Sequence, residues 1–244
     1  MVRLASGDRP AVLCLQELPV WSLARLESWS GMTSVADVTE RPRIGPFPSS
    51  AELGRIITEL NHGLLRSAFT GQANAILLGA GLRVIGRRHL VLNSFRFRRA
   101  QARRLGLSKA ARRAWGRERR VCQVVRVGSG DGTFVVCNLH ATGSSDKRLA
   151  DAELLRAAVF ADGVAQPAEP VLLCGDFNLS VQNSKTLASL SDPEWGFTGS
   201  TPTGIDHVLV RGLSARPPER WPPERRTVEG RVLSDHAPVD REVK

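Results

Sequence analysis

The sequence predicts a layered α/β fold, and three observations carry that prediction. Short apolar runs and stretches of helical periodicity alternate along the whole chain. Several apolar runs are continuous and not alternating, as strands covered on both faces are. One helical stretch, residues 147–164, carries Leu149, Ala152, Leu155, Ala158 and Val159 on a single stripe, which places it against a sheet.

In chain order, the first strand is expected over residues 11–15, where an apolar run ends at Gln16 and Glu17. Helical periodicity follows over 21–29. The loop 41–50 carries three prolines and reads as surface, and a second helix is expected over 51–65. A strand at 75–78 precedes a basic helix at 98–115, two strands at 121–127 and 133–139, and the amphipathic helix already named. Strands at 171–174, 207–210 and 238–243 complete the chain, with a charged, four-proline loop at 216–226 before the last. With 244 residues and 42% hydrophobic composition, the chain can bury a substantial core and is expected to form one domain, residues 1–244.

Composition narrows the possible functions. No run approaches the roughly 20 apolar residues of a bilayer-spanning helix, and residues 1–10 lack the apolar core of a secretory signal, so a soluble, cytoplasmic and monomeric protein is expected. The four cysteines, Cys14, Cys122, Cys137 and Cys174, form no CxxC pair and sit inside apolar runs, as small buried hydrophobes of a reducing compartment do. The charge of +10 is uneven: residues 83–126 hold 15 of the 34 basic residues and a single acid, Glu118. That segment is +14, while the other 19 basic and 23 acidic residues leave the remainder at −4. Such a surface is either a solvated helix face or one that attracts polyanions, nucleic acid or acidic headgroups.

Acids, histidines and asparagines recur where apolar strands end. They are Gln16-Glu17, Asn138-Leu139-His140, Gly175-Asp176-Phe177-Asn178, Ile205-Asp206-His207 and Ser234-Asp235-His236. Loops at one end of the sheets of layered α/β proteins bind ligands, so such clusters can converge. Asp176 and Asn178 point the same way if the backbone stays extended, which turns Phe177 into the core. Gly79, Gly81 and Gly86 lack dinucleotide-loop spacing, the sequon at Asn178 lies inside the polar cluster, and His62 and His89 have no polar company at useful spacing.

LQE at 15–17, NAIL at 74–77, NLH at 138–140, GDFN at 175–178, GIDHV at 204–208 and SDHAPV at 234–239 together resemble the successive motifs of the endonuclease/exonuclease/phosphatase superfamily, the DNase I-like hydrolases. The resemblance implies a four-layer α/β sandwich of two mixed sheets. It also implies that an opening strand carrying an asparagine is absent, because only 16 residues precede Glu17. By the same resemblance Glu17 and Asp235 hold Mg2+ or Mn2+, hard cations that prefer oxygen ligands. Asp176 orients and deprotonates the attacking water, and Asn178 contacts the phosphate or completes the metal shell. Asp206 and His236 form an acid–imidazole pair, His140 is a second phosphate-facing group, and Asn74 is a phosphate contact.

Leu18-Pro19 after LQE, His140 and the lack of tyrosine differ from the branches that cut at abasic sites. The histidine version is shared by nonspecific nucleases, sphingomyelinase-like enzymes and sugar or inositol phosphatases. Three readings stay open: a nuclease-type phosphodiesterase, to which the basic segment inclines; a phosphoesterase of phospholipids or small phosphorylated molecules; and a non-catalytic polyanion binder.

Overall fold

A computed structural model describes residues 1–45, 47–60 and 69–244, which form two compact units, residues 2–82 and residues 83–244. His62, and the end of the helix expected over 51–65, lie outside the described residues.

The first unit runs α1 (Val2–Gly7), β1 (Val12–Leu18), a 3-10 turn (Val20–Arg25), α2 (Leu26–Ser30), β2 (Thr33–Glu40), α3 (Ala51–Leu60) and β3 (Gln72–Leu78). Its three longer strands lie in the order β1-β3-β2, with both pairings antiparallel. The central strand β3 is buried from Ala73 onward, and Ala75 and Leu77 join Leu26 and Met32 in the core of this unit. Helix periodicity at 21–29 becomes a 3-10 turn and one short helix. Gly31 stops that helix in the left-handed region (φ 69°), donating its N–H to Glu27 O at 2.8 Å. Strand β2 escaped the sequence reading because Thr33, Ser34, Asp37 and Thr39 interrupt its apolar residues.

The second unit holds β4 (Arg83–Val91), α4 (Phe95–Arg104), α5 (Lys109–Ala114), β5 (Val121–Ser129), β6 (Gly132–His140), α6 (Arg148–Val164), β7 (Val171–Asp176), α7 (Lys185–Leu190) and β8 (Asp206–Arg211). Its sheet has the order β8-β7-β6-β5-β4. Only β6 and β7 run parallel, and α6 is the crossover that this pairing requires. The larger sheet is therefore mixed, and the smaller is antiparallel. Val124, Val135, Cys137, Leu139, Val171 and Leu173 form the floor on which α6 packs.

Three expectations are corrected here. The buried face of α6 is Leu149, Ala150, Glu153, Leu154, Ala157, Ala158 and Ala161, while Leu155 and Val159 are 44% and 55% exposed. Alanines let the helix lie close to the sheet, so the packing stripe follows small residues and not the largest ones. The basic helix expected over 98–115 is two helices. Gly106 (φ 63°) ends α4, and the Ser108 hydroxyl accepts from Ala111 N to cap α5. The final strand expected over 238–243 shrinks to Val239–Asp240, paired with Glu219–Arg220. The four cysteines are free, and Cys122, Cys137 and Cys174 are buried. Among the described residues no helix is long and apolar enough to cross a membrane.

Candidate active site

Strand register assembles the site. In the parallel pair, His140 stands opposite Asp176, and in the neighbouring antiparallel pair Asp176 stands opposite Asp206. Three polar side chains thus form one row across the ends of β6, β7 and β8. Close approach of these strands depends on Gly175 (φ 133°), where a Cβ atom would fall 2.0 Å from Leu139 O.

Beyond β7 the backbone does not stay extended, as the sequence reading supposed. Asn178 adopts a left-handed conformation (φ 53°), and a tight turn brings it back onto Asp176. Its backbone N–H donates to Asp176 Oδ1 at 2.8 Å, and its amide donates to Asp176 Oδ2 at 3.2 Å and to Ala141 O at 3.0 Å. Phe177 is fully buried, as expected. Beneath it His207 accepts from Thr201 N and donates to Leu179 O, so this histidine holds the loop instead of facing the row.

His236 comes from the C-terminal segment, which Arg226 fastens by donating to Ser234 O. Its Nδ1 lies 3.0 and 3.2 Å from the two Asp206 oxygens and 4.0 Å from Asp176 Oδ2. Hydrogen bonding to Asp206, helped by the charges of Asp206, Asp176 and Asp235, raises the His236 pKa to about 9. Asp176 moves the other way from an ordinary carboxylate: burial and the neighbouring Asp206 charge raise its pKa to about 6. His140 is held neutral, because burial and the positive charges of Arg120 and His236 push its pKa well below the usual imidazole range.

Two residues that sequence reasoning missed complete the surroundings. Arg120 is buried, pairs with Glu118, and sets Nη1 2.8 Å from both ring nitrogens of His140, whose Nε2 is 3.5 Å from Asp176. Glu153, fully buried on α6, accepts from Trp115 Nε1 (2.5 Å), Thr142 N (2.7 Å) and Thr142 Oγ1 (2.8 Å). It thereby pins the chain just after His140. Neither had a sequence signature: Arg120 was one arginine in a basic segment, and Glu153 sits amid a helical stripe.

Asp235 is exposed beside His236. In the first unit Asn74 is buried on β3 opposite Asp37, and Glu17 is exposed at a register shift of β1, with φ 55°. Positive φ at a residue other than glycine is uncommon and gathers at functional positions. Among the described residues five such positions occur, and two of them are the candidate site residues Glu17 and Asn178. The ligand atoms of Asp176, Asp206 and His236 all lie within 4.8 Å of one another, a spacing that could hold a cation. With His236 Nδ1 hydrogen-bonded to Asp206, the same three residues also make an acid–base cluster.

No curated protein matches the sequence. Solved structures with the same fold include the human Nocturnin catalytic domain with bound sulfate, at 14% identity and a TM-score of 0.65, covering 99% of this chain and 86% of that one. An endonuclease/exonuclease/phosphatase from Bacteroides vulgatus matches at 12% identity and a TM-score of 0.67, covering 100% and 88%. A mannosyl-6-phosphatase from Bacteroides thetaiotaomicron matches at 15% identity and 0.60, covering 100% and 88%. The profile of the Endonuclease/Exonuclease/phosphatase family spans residues 2–236. Motif order, strand topology and this match over nearly the whole chain agree, and the chain belongs to the endonuclease/exonuclease/phosphatase family, with its DNase I-like mixed α/β fold.

Proposed function

We propose that the chain is a divalent-metal-dependent hydrolase of phosphoester bonds, acting on phosphodiesters of nucleic acid. The observation that carries this reading is an imidazole, His236, held 3.0 Å from Asp206 and 4.0 Å from a second, nearly buried carboxylate, Asp176, whose pKa is raised to about 6. Two titratable groups pushed apart by their surroundings are what acid–base chemistry near pH 7 requires. In this reading Asp176 orients a water and takes its proton, and the two donors of Asn178 fix the angle of that carboxylate. Asp206 holds His236 protonated, so that the imidazolium faces the phosphoryl oxygens or the leaving oxygen. Neutral His140 links Asp176 to Arg120, whose guanidinium adds positive charge next to the row.

Mg2+ or Mn2+ is the cofactor that fits an oxygen-rich donor set, and when bound it supplies charge neutralisation at the phosphoryl group. Glu17 and Asp235, both exposed carboxylates, are proposed as ligands. Asn74 is proposed as a phosphate contact.

The basic helices α4 and α5 support nucleic acid over smaller substrates. Arg103, Arg104, Arg112 and Arg113 are all exposed, and Phe95, 68% exposed, lies beside Arg96 on α4. Trp115 is not part of that surface, being buried against Glu153. The competing reading, a phosphatase of small phosphorylated molecules or a phospholipid phosphoesterase, keeps the same row and changes the substrate. One preparation assayed on plasmid DNA, sphingomyelin and an inositol phosphate decides between them. Asp176→Ala and His236→Ala should each lower turnover on the preferred substrate by orders of magnitude with folding retained. Full activity in both variants would remove the mechanism, and inactivity of the native chain with added Mg2+ or Mn2+ on all three substrates would favour a binding role.

A further inference from the structure

Helix α4 leaves the sheet at the end that carries the row. Val91, the last residue of β4, stands opposite Val121, the first of β5, and Cys122 stands opposite Leu139, the neighbour of His140. Residues 92–120, which include α4 and α5, therefore join two strands on the row's side, and two strand spacings, about 10 Å, separate β4 from β6. The two helices are fastened there. Arg148 donates to Leu105 O at the end of α4, and Trp115, just after α5, donates to Glu153, which also holds Thr142 beyond the row.

One face of α4 is built from Phe95, Arg96, Arg99 and Arg103, which on a helix lie within about 100° of its circumference. All four are exposed. Arg96 and Arg99 are three residues apart, and Arg99 and Arg103 four, spacings at which like charges destabilise a helix. No acid lies on α4, and among the described residues no carboxylate pairs with any of these three arginines. The segment's single acid, Glu118, is engaged by Arg120. A merely solvated face interleaves charges of both signs, so here the neutralising charge is left for a ligand to supply. Phe95 is the second observation. Phe97 packs edge-on against Trp115, with ring centroids 5.8 Å apart, and lies under Arg156, whereas the Phe95 ring is 68% exposed.

We infer that this face of α4 holds a single strand of nucleic acid, with one base stacked on the Phe95 ring and the adjoining phosphates on Arg96, Arg99 and Arg103. The inference rests on the nucleic-acid reading above and narrows it to an unpaired strand. Inside a duplex the base faces are stacked on one another, so α4 would hold only its phosphates. An acidic lipid surface is the poorer occupant, because it needs a broad apolar helix face and Phe95 is the one large apolar side chain exposed on α4. Because α4 stands at the row's end of the sheet, a strand held on it is within reach of His140 and Asp176.

Equilibrium binding of a labelled mixed-sequence oligonucleotide to the full chain, in chelator so that no turnover is needed, tests this. The strand is offered unpaired, annealed to its complement, and as an abasic sugar-phosphate chain of the same length. The native chain should hold the unpaired strand more tightly than the duplex and about tenfold or more tightly than the abasic chain. Phe95→Ala should weaken binding of the unpaired strand by about tenfold or more and leave the other two unchanged. Phe95→Trp should bind as the native chain does, and Phe95→Leu, apolar without an aromatic face, should lose as much as Phe95→Ala. Thermal melts check that the variants are folded, and the abasic comparison needs no variant. Equal losses for unpaired strand and duplex, full affinity in Phe95→Leu, or displacement of the oligonucleotide by phosphatidylserine vesicles that depends on Phe95 would each overturn the inference. Failure of the native chain to bind any of the three would remove the nucleic-acid reading as well, whereas the other adverse outcomes leave that reading standing.

Discussion

Asp176 is nearly out of solvent and faces a second carboxylate, so its native pKa of about 6 stands above the ordinary 3.8. A carboxylate raised by folding favours its protonated form, so its contribution to stability is lost as pH rises from about 4 through 6. Asp176→Asn should therefore stabilise the metal-free protein at pH 8 by up to about 3 kcal/mol, a gain that shrinks toward pH 4. Melts in chelator at pH 5, 6 and 8 check this, and a gain independent of pH would point to packing instead of charge. The same variant should lose at least about a hundredfold in phosphoester turnover. In the native chain, kcat/KM should fall as pH drops below about 6, where Asp176 takes up its proton. His140, already neutral, should add no second limb there. The row itself was legible in the sequence, because His140, Asp176, Asn178, Asp206 and His236 each follow or begin a strand with little else polar nearby. Arg120 and Glu153 were not legible, since their importance comes from contacts across 20 and 38 residues of chain.

At the scale of elements, the sheet tolerates little change where the row is built. Gly175→Ala would drive a methyl group into the Leu139 carbonyl and force a residue other than glycine to φ 133°. A loss of several kcal/mol is expected, on the order of 3 or more, read as a lowered urea midpoint at unchanged slope. A near-native midpoint would mean that the strands can part without cost. The helices α4 and α5 make a different prediction. Replacing Arg103, Arg104, Arg112 and Arg113 with glutamine should weaken nucleic-acid binding and flatten its dependence on salt by roughly one log-log unit per lost phosphate contact. Turnover at saturating substrate should barely change, and an unaltered slope would make these arginines a solvated face. The interleaving of strands and helices was readable from apolar runs, whereas β2 and β4 were not. Both carry polar or charged residues on an exposed side, and β4 is an edge whose sequence reads as charge before it reads as strand.

For the molecule as a whole, the uneven charge matters more than its total. The whole of the excess is carried by residues 83–126, so attraction of a polyanion should be local and should weaken with ionic strength. Removing divalent ions with chelator should stop hydrolysis, and Mg2+ or Mn2+ should restore it without a change in far-UV dichroism. Failure of either ion to restore a chelated enzyme would exclude the proposed cofactors. The family and its fold were readable from motif order, because most of the motifs close or open a strand and so mark the strand ends in sequence. Substrate choice was not, since the motifs name groups at the row and not the groups that would hold the rest of a substrate. The three buried thiols of β5, β6 and β7 have a practical consequence. They sit in neighbouring strands of the sheet that carries the row, shielded from solvent. A bulky thiol reagent can reach them only when those strands separate, so its slow reaction phase is a clock for that opening. Cys14, only half-buried, should react first, and the remaining thiols should follow at a rate that Gly175→Ala accelerates.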